Sequence, residues 1–211
     1  MRTSQRIRNI VYFIGISILS CISVILCGFI ISQLLSFINI LNSELEMLLL
    51  TWTALVLGLC IIPYVFVNKI YNPSIKELGI GEIKNYEILC ILSVISLTIL
   101  YLYVDKSNLS IILLIQVVLQ NMGVAFSEEF FSKGILFFIG KKITSNKGVV
   151  VIISSIVFAF MFHSGDLFMT NLTYRFPMGI ILGIIYLKTD NIYLPIILHV
   201  ANNLVATSLL K

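Results

Sequence analysis

The sequence predicts an all-α fold: a polytopic transmembrane helical bundle of about seven spans (six to eight), with the N-terminus in the cytoplasm. Three observations predict it. Of the 211 residues, 59% are hydrophobic and 11% charged, against about 25% charge in an ordinary soluble domain. The apolar residues fall in runs of roughly the 20 residues that carry a helix across a hydrocarbon layer. The lysines and arginines stand between those runs, one or two at a time, where they set membrane orientation and offer no nucleic-acid surface.

The first span is expected over Ile10–Leu35. The basic stretch Met1–Arg8 resembles the start of a signal peptide, but the apolar run after it is too long and no small-residue cleavage site closes it. An acidic loop around Asn39–Glu46 leads to a second span over Met47–Val67. A polar connector follows, Asn68–Asn85, in which Asn72-Pro73 and Gly79-Ile-Gly81 break any helix. Within it, Ser74–Ile83 is expected as a short amphipathic piece on the membrane surface. The third span is Tyr86–Val104, and Asp105–Asn108 is a tight loop. The fourth, Leu109–Ile139, is long enough to tilt or protrude. After the basic loop Gly140–Lys147 come spans over Gly148–Phe162, Leu172–Leu187 and Ile192–Leu210.

With the N-terminus inside, the cytoplasmic segments hold Arg2, Arg6, Arg8, Lys69, Lys76, Lys84, Lys141, Lys142, Lys147 and Lys188. The outer ones hold Lys106 and Lys211 alone, and Lys133 and Arg175 fall inside spans. This imbalance fixes the topology under the positive-inside rule. Arg175 is expected to snorkel to the outer interface, and Asp166 to sit in a solvated loop. The four cysteines, Cys21, Cys27, Cys60 and Cys90, lie in apolar runs without a Cys-x-x-Cys pair and read as small hydrophobes.

Glu128 and Glu129 interrupt the fourth apolar run. A charge at bilayer depth costs about 2.5–3.5 kcal/mol on insertion scales, so ionisable residues there are functional candidates. At about 1.5 Å of rise per residue, Glu128, His163, His199 and Asn203 all fall near mid-bilayer. They come from three separate spans and include both histidines of the chain. His199 and Asn203 are four apart, on one helix face, as are Glu129 and Lys133, whose charges can pair. Glu128 then points elsewhere, as a poorly solvated carboxylate suited to general acid–base work. A glutamate and a histidine holding one water can deprotonate it as it attacks a carbonyl. A second histidine and an amide can donate to the oxyanion. Hydrolysis of a peptide bond within the membrane fits that set.

Three stretches carry a resemblance: Glu128-Glu129-Phe-Phe-Ser-Lys133, the aromatic segment before His163, and His199-Val-Ala-Asn-Asn203. In this order they resemble the motifs Glu-Glu-x-x-x-Arg, Phe-x-x-x-His and His-x-x-x-Asn of the CAAX protease and bacteriocin-processing (CPBP, Abi) family. That family comprises prokaryotic relatives of the CAAX prenyl endopeptidases. The chain departs from the pattern twice: Lys133 replaces the arginine, and Ala159, flanked by Phe158 and Phe160, stands where the family has phenylalanine.

The resemblance implies one membrane domain, 1–211, with the catalytic core in 109–211. It implies Glu128 as catalytic glutamate, His163 sharing the activated water, His199 and Asn203 as the oxyanion pair, and Glu129 with Lys133 as support. No cofactor is favoured. Zinc is the alternative, as in a metalloprotease, with Glu128, His163 and His199 as its ligands. Implied partners are membrane lipid and a peptide or membrane-protein substrate, such as a bacteriocin or a prenylated peptide, at the cell membrane. Two other readings stand beside this one. A bacteriocin self-immunity protein could use the same site. An ion-coupled transporter could use the carboxylates as a relay, although the paired repeats that would mark it are not found.

Overall fold

The computed structural model describes residues 3–38, 43–105 and 111–209. These residues are helical apart from short connections and contain no strand. Seven helices follow one another: α1 (Thr3–Ile38), α2 (43–71), α3 (Asn85–Asp105), α4 (111–141), α5 (147–162), α6 (168–189) and α7 (Tyr193–Leu209). Three stretches, Thr3–Ile38, Leu45–Tyr71 and Phe168–Thr189, are long and apolar enough to cross a membrane. Asn85–Tyr101, Lys147–Phe162 and Tyr193–Ala206 are apolar but shorter. The remaining helix, α4, carries the two glutamates and Lys133.

The ends of the helices follow local chemistry. Asn146 caps α5, its side chain accepting from the backbone N–H groups of Gly148 and Val149. Asn72 (φ 47°) and Asp190 (φ 57°) close α2 and α6 in the left-handed conformation that short polar side chains tolerate. Lys142 to Asn146 link α4 to α5. The sequence places these boundaries within a few residues. Residues 39–42 and 106–108, part of two expected loops, and Leu210 lie outside the described residues.

The connector differs from expectation. Ser74–Ile83 forms no surface helix; its only helical part is the 3₁₀ turn Lys76–Leu78. It is held against the bundle end instead. Leu78 is fully buried, and Ile192 N–H donates to the Gly79 carbonyl at 2.9 Å. Gly79 has φ +81°, and a Cβ there would stand 2.6 Å from the Tyr186 ring, so only glycine fits. Just beyond, Asn191 Nδ2 donates to buried Glu87 Oε2 at 2.6 Å, tying the start of α3 to the α6–α7 turn.

The centre of the bundle is the second half of α4. From Ser127 to Gly140 every residue is buried, the mark of a helix enclosed on all sides. A Cβ on Gly134 would stand 2.8 Å from the Leu78 carbonyl oxygen, so this glycine lets the connector approach the helix. Around α4 pack α2, α5 and α7. Outside these, α1 lies on α2, α3 on α7, and α6 on α5 and α7. Lipid tails are as apolar as leucine, so close packing and buried polar bonds hold such helices together more than water exclusion does.

One end of the bundle gathers the basic residues. Asn9 Nδ2 donates to the Lys142 carbonyl at 2.7 Å, and Tyr71 Oη donates to Asn9 Oδ1 at 2.9 Å. Lys142 Nζ lies over the Phe138 ring at 4.4 Å, and Lys141 reaches Asp190 at 4.0 Å. The start of α1 and the ends of α2, α4 and α6 therefore meet on one side, as the charge pattern requires.

Candidate active site

Glu128 and Glu129 end the regular part of α4. From Phe130 to Leu136 the hydrogen-bond ladder widens to i→i+5, a π-helical turn, the kind of helix defect often found at functional sites. Ser132 Oγ donates to the Glu128 carbonyl at 2.7 Å across this region. As adjacent residues of a helix, about 100° apart around its axis, the two carboxylates, 6% and 0% exposed, project to different neighbours.

Glu129 faces inward. Its Oε2 lies 3.4 Å from Lys133 Nζ, with both side chains fully buried. Its Oε1 lies 2.9 Å from His199 Nδ1. An ionised carboxylate only accepts, so Nδ1 carries the proton in that bond. The ring is thereby turned with Nε2 toward Glu128. Glu128 Oε2 lies 3.8 Å from His199 Nε2 and 3.7 Å from His163 Nε2. This oxygen is buried and accepts no hydrogen bond from another group of the protein. Its two imidazole neighbours stand slightly too far for direct bonds, but close enough for one water to bond all three.

His163 terminates α5 at φ −110°, ψ 32°. The turn before it, Val157–Phe162, is again π-helical. This turn accounts for the departure seen in the sequence. With i→i+5 bonding, the residue five positions back, not four, shares the face of His163. Phe158 therefore takes the aromatic position. Its ring lies edge-on to His163 at 5.3 Å and to His199 at 5.7 Å, and Lys133 Nζ stands 5.3 Å from its centroid. Phe160 packs elsewhere, against Phe168 at 5.4 Å.

Glu128, His163, His199 and Asn203 line one cavity of about 680 Å³. Asn121, Thr170, Tyr174 and Asn202 add amide and hydroxyl groups, with Tyr174 Oη donating to Asn202 Oδ1 at 2.8 Å. Such a lining suits a peptide backbone, which both donates and accepts. Glu129 and Lys133 sit behind it.

Two residues near the site make contacts the sequence reading does not give them. Asp166 is an exposed loop residue, as expected, but it also pairs with Arg175, whose side chain ends on this loop. Arg175 Nε and Nη2 converge on Asp166 Oδ2 at 2.7 and 2.5 Å, and Arg175 Nη1 lies 3.4 Å from His163 Nε2. The one sequence signal for this was an arginine within an apolar helix.

The metal alternative can be tested on the donor set. Among the described residues no group of three His, Cys, Asp or Glu side chains has the arrangement of a metal site. Glu128, His163 and His199 face one another at the spacing of a shared water. The four cysteines are free, and of them Cys60 alone is buried.

Residues 110–205 match the family described as type II CAAX prenyl endopeptidase Rce1-like. The match agrees with the resemblance carried by the three motifs. It runs from the start of α4 into α7 and takes in Glu128, Glu129, Lys133, His163, His199 and Asn203. No curated protein and no solved structure matches the chain.

Proposed function

We propose that this protein is a multi-pass CAAX-type endopeptidase of the cell membrane, cleaving a peptide bond with protein groups alone. One observation carries the reading: the unsatisfied Oε2 of Glu128, buried between two imidazole Nε2 atoms on a cavity lined by amides.

In this reading Glu128 Oε2 and His163 Nε2 hold the attacking water. Glu128 takes one of its protons as the water oxygen bonds to the scissile carbonyl carbon. The carbonyl oxygen becomes an oxyanion. His199 Nε2–H and the Asn203 amide donate to it. As an imidazolium, His199 also leaves the quartet Glu128, Glu129, Lys133 and His199 without net charge. Glu128 then returns its proton to the amide nitrogen, the C–N bond breaks as the oxyanion reforms a carbonyl, and a carboxylic acid and an amine result; the acid's proton passes to the amine, so that a carboxylate and an ammonium leave. Glu129 and Lys133 touch no substrate; they hold His199 with Nε2 toward the reaction.

The test is cleavage of prenylated peptides by purified protein, with Glu128→Gln as comparison and each assay repeated with a chelator. The proposal expects turnover by the wild type, a loss of about 10²–10⁴-fold in E128Q, and no effect of chelation. Undiminished turnover in E128Q removes the glutamate mechanism. Loss on chelation, restored by zinc, moves the chemistry to a metal.

A further inference from the structure

We propose that Asp166 and Arg175 are positioning residues for His163. They hold its ring as the Nδ1–H tautomer with the Nε2 lone pair toward Glu128, as Glu129 and Lys133 orient the ring of His199. The inference rests on the protease reading for its catalytic consequence, but not for its geometry.

One contact selects the tautomer, and a longer one agrees with it in charge. Arg175 Nη1 stands 3.4 Å from His163 Nε2. A guanidinium only donates, so the ring nitrogen facing it presents a lone pair. The proton is then on Nδ1, which faces Asp166 Oδ2 at 3.9 Å, beyond a direct hydrogen bond but with a negative charge on the side where the proton sits. Asp166 is in turn fixed by Arg175 through two guanidinium nitrogens. The backbone joins in: the His163 carbonyl accepts from Asn171 Nδ2 at 2.7 Å and from Asp166 N–H at 3.1 Å. The segment from His163 to Arg175 thus closes on the ring from both its backbone and its Nδ1 edge.

The result is a near-mirror about Glu128. On one side run Lys133, Glu129 and His199; on the other, Arg175, Asp166 and His163. Each chain is cation, carboxylate, imidazole, and each imidazole turns Nε2 to the same oxygen. The groups facing His163 are Glu128 from α4, Arg175 from α6, Asp166 from its own loop and, across Phe158, His199 from α7. An exposed ion pair that merely fastened a loop would contribute little and would leave the ring tautomer alone. Here the guanidinium lies against the ring itself.

The outer chain is also the looser one. The Asp166 side chain is 40% exposed and that of Arg175 27%, whereas Glu129 and Lys133 are sealed. In the resting structure Arg175 holds the His163 lone pair that the reaction needs for water. It must share or release that nitrogen when the cavity fills.

The experiment uses the full chain, labelled with ¹⁵N-histidine, in detergent micelles at about pH 8.5, above the ordinary imidazole range. With two histidines in the chain, His199→Gln assigns both sets of signals. The expected wild-type spectrum shows His163 protonated at Nδ1 and bare at Nε2. Asp166→Asn and Arg175→Gln each convert His163 to a mixture or to Nε2–H, while the His199 signals stay in place and certify the fold. Arg175→Lys, which keeps a donor and a charge, retains the wild-type tautomer. On a cleaved peptide the two disruptive variants lower kcat by up to about 100-fold, the scale of a misplaced catalytic group, and leave KM within threefold. A His163 found as Nε2–H in the wild type, or a tautomer that neither variant moves, overturns the proposal. The spectrum needs no substrate, so it fails or succeeds apart from the protease reading, which E128Q decides.

Discussion

Replacing Lys133 with methionine removes the ammonium paired with Glu129 Oε2 from a place without solvent. Glu129 Oε2 and Lys133 Nζ are 3.4 Å apart and both fully buried. At an effective dielectric of about 20, two unit charges at that distance attract by about 5 kcal/mol. Much of this offsets desolvation, so the pair itself adds little net stability. Removing one partner is different: the other is left charged and buried, at a cost of about 3–5 kcal/mol. K133M and Glu129→Gln should therefore each destabilise strongly. The double variant K133M/E129Q buries no unpaired charge and should recover about 1–3 kcal/mol relative to the sum. Denaturant-induced unfolding in micelles can be followed by Trp52, the one tryptophan of the chain. Its Nε1 donates to the Leu119 carbonyl at 3.1 Å and so reports the α2–α4 contact. Single losses below about 1 kcal/mol that simply add would refute the buried-pair account. The double variant should remain poorly active although folded, because glutamine holds the His199 tautomer less firmly than a carboxylate does.

Other outcomes follow from the same geometry. Phe158→Ala should cost about 3–5 kcal/mol and lower kcat, read by the Trp52 transition and by cleavage rate. Phe160→Ala should leave the rate within threefold, because that ring faces Phe168 instead of the histidines. Gly134→Val should destabilise by about 1–3 kcal/mol or detach the connector, since the new side chain meets the Leu78 carbonyl. Limited proteolysis between Ser74 and Lys84 would then accelerate.

What the sequence made legible was set by simple periodicities. Apolar run length located the helices, because a bilayer demands a fixed number of residues and Asn, Gly and Pro end them. Rise per residue located the layer of Glu128, His163, His199 and Asn203. The cases it missed are those in which packing overrides local pattern. Counting at helical spacing put Ala159 over His163; a π-helical turn, imposed by the surrounding bundle, put Phe158 there instead. Ser74–Ile83 has amphipathic composition, yet the docking of Leu78 and Gly79 under α4 and α6 keeps it a turn. Asp166 followed a histidine at the end of a span and so looked solvated, and it is exposed in that loop; only the fold of the segment to Arg175 shows that its carboxylate also faces the ring.

The measurement that tests convergence of the site most directly is a comparison of initial cleavage rates for E128Q, His163→Ala and the double variant E128Q/H163A. Groups that act on one water as a unit lose most of the rate on the first removal. The account predicts a double variant no more than about threefold slower than E128Q. Losses that multiply would mean that Glu128 and His163 act separately, and would contradict it.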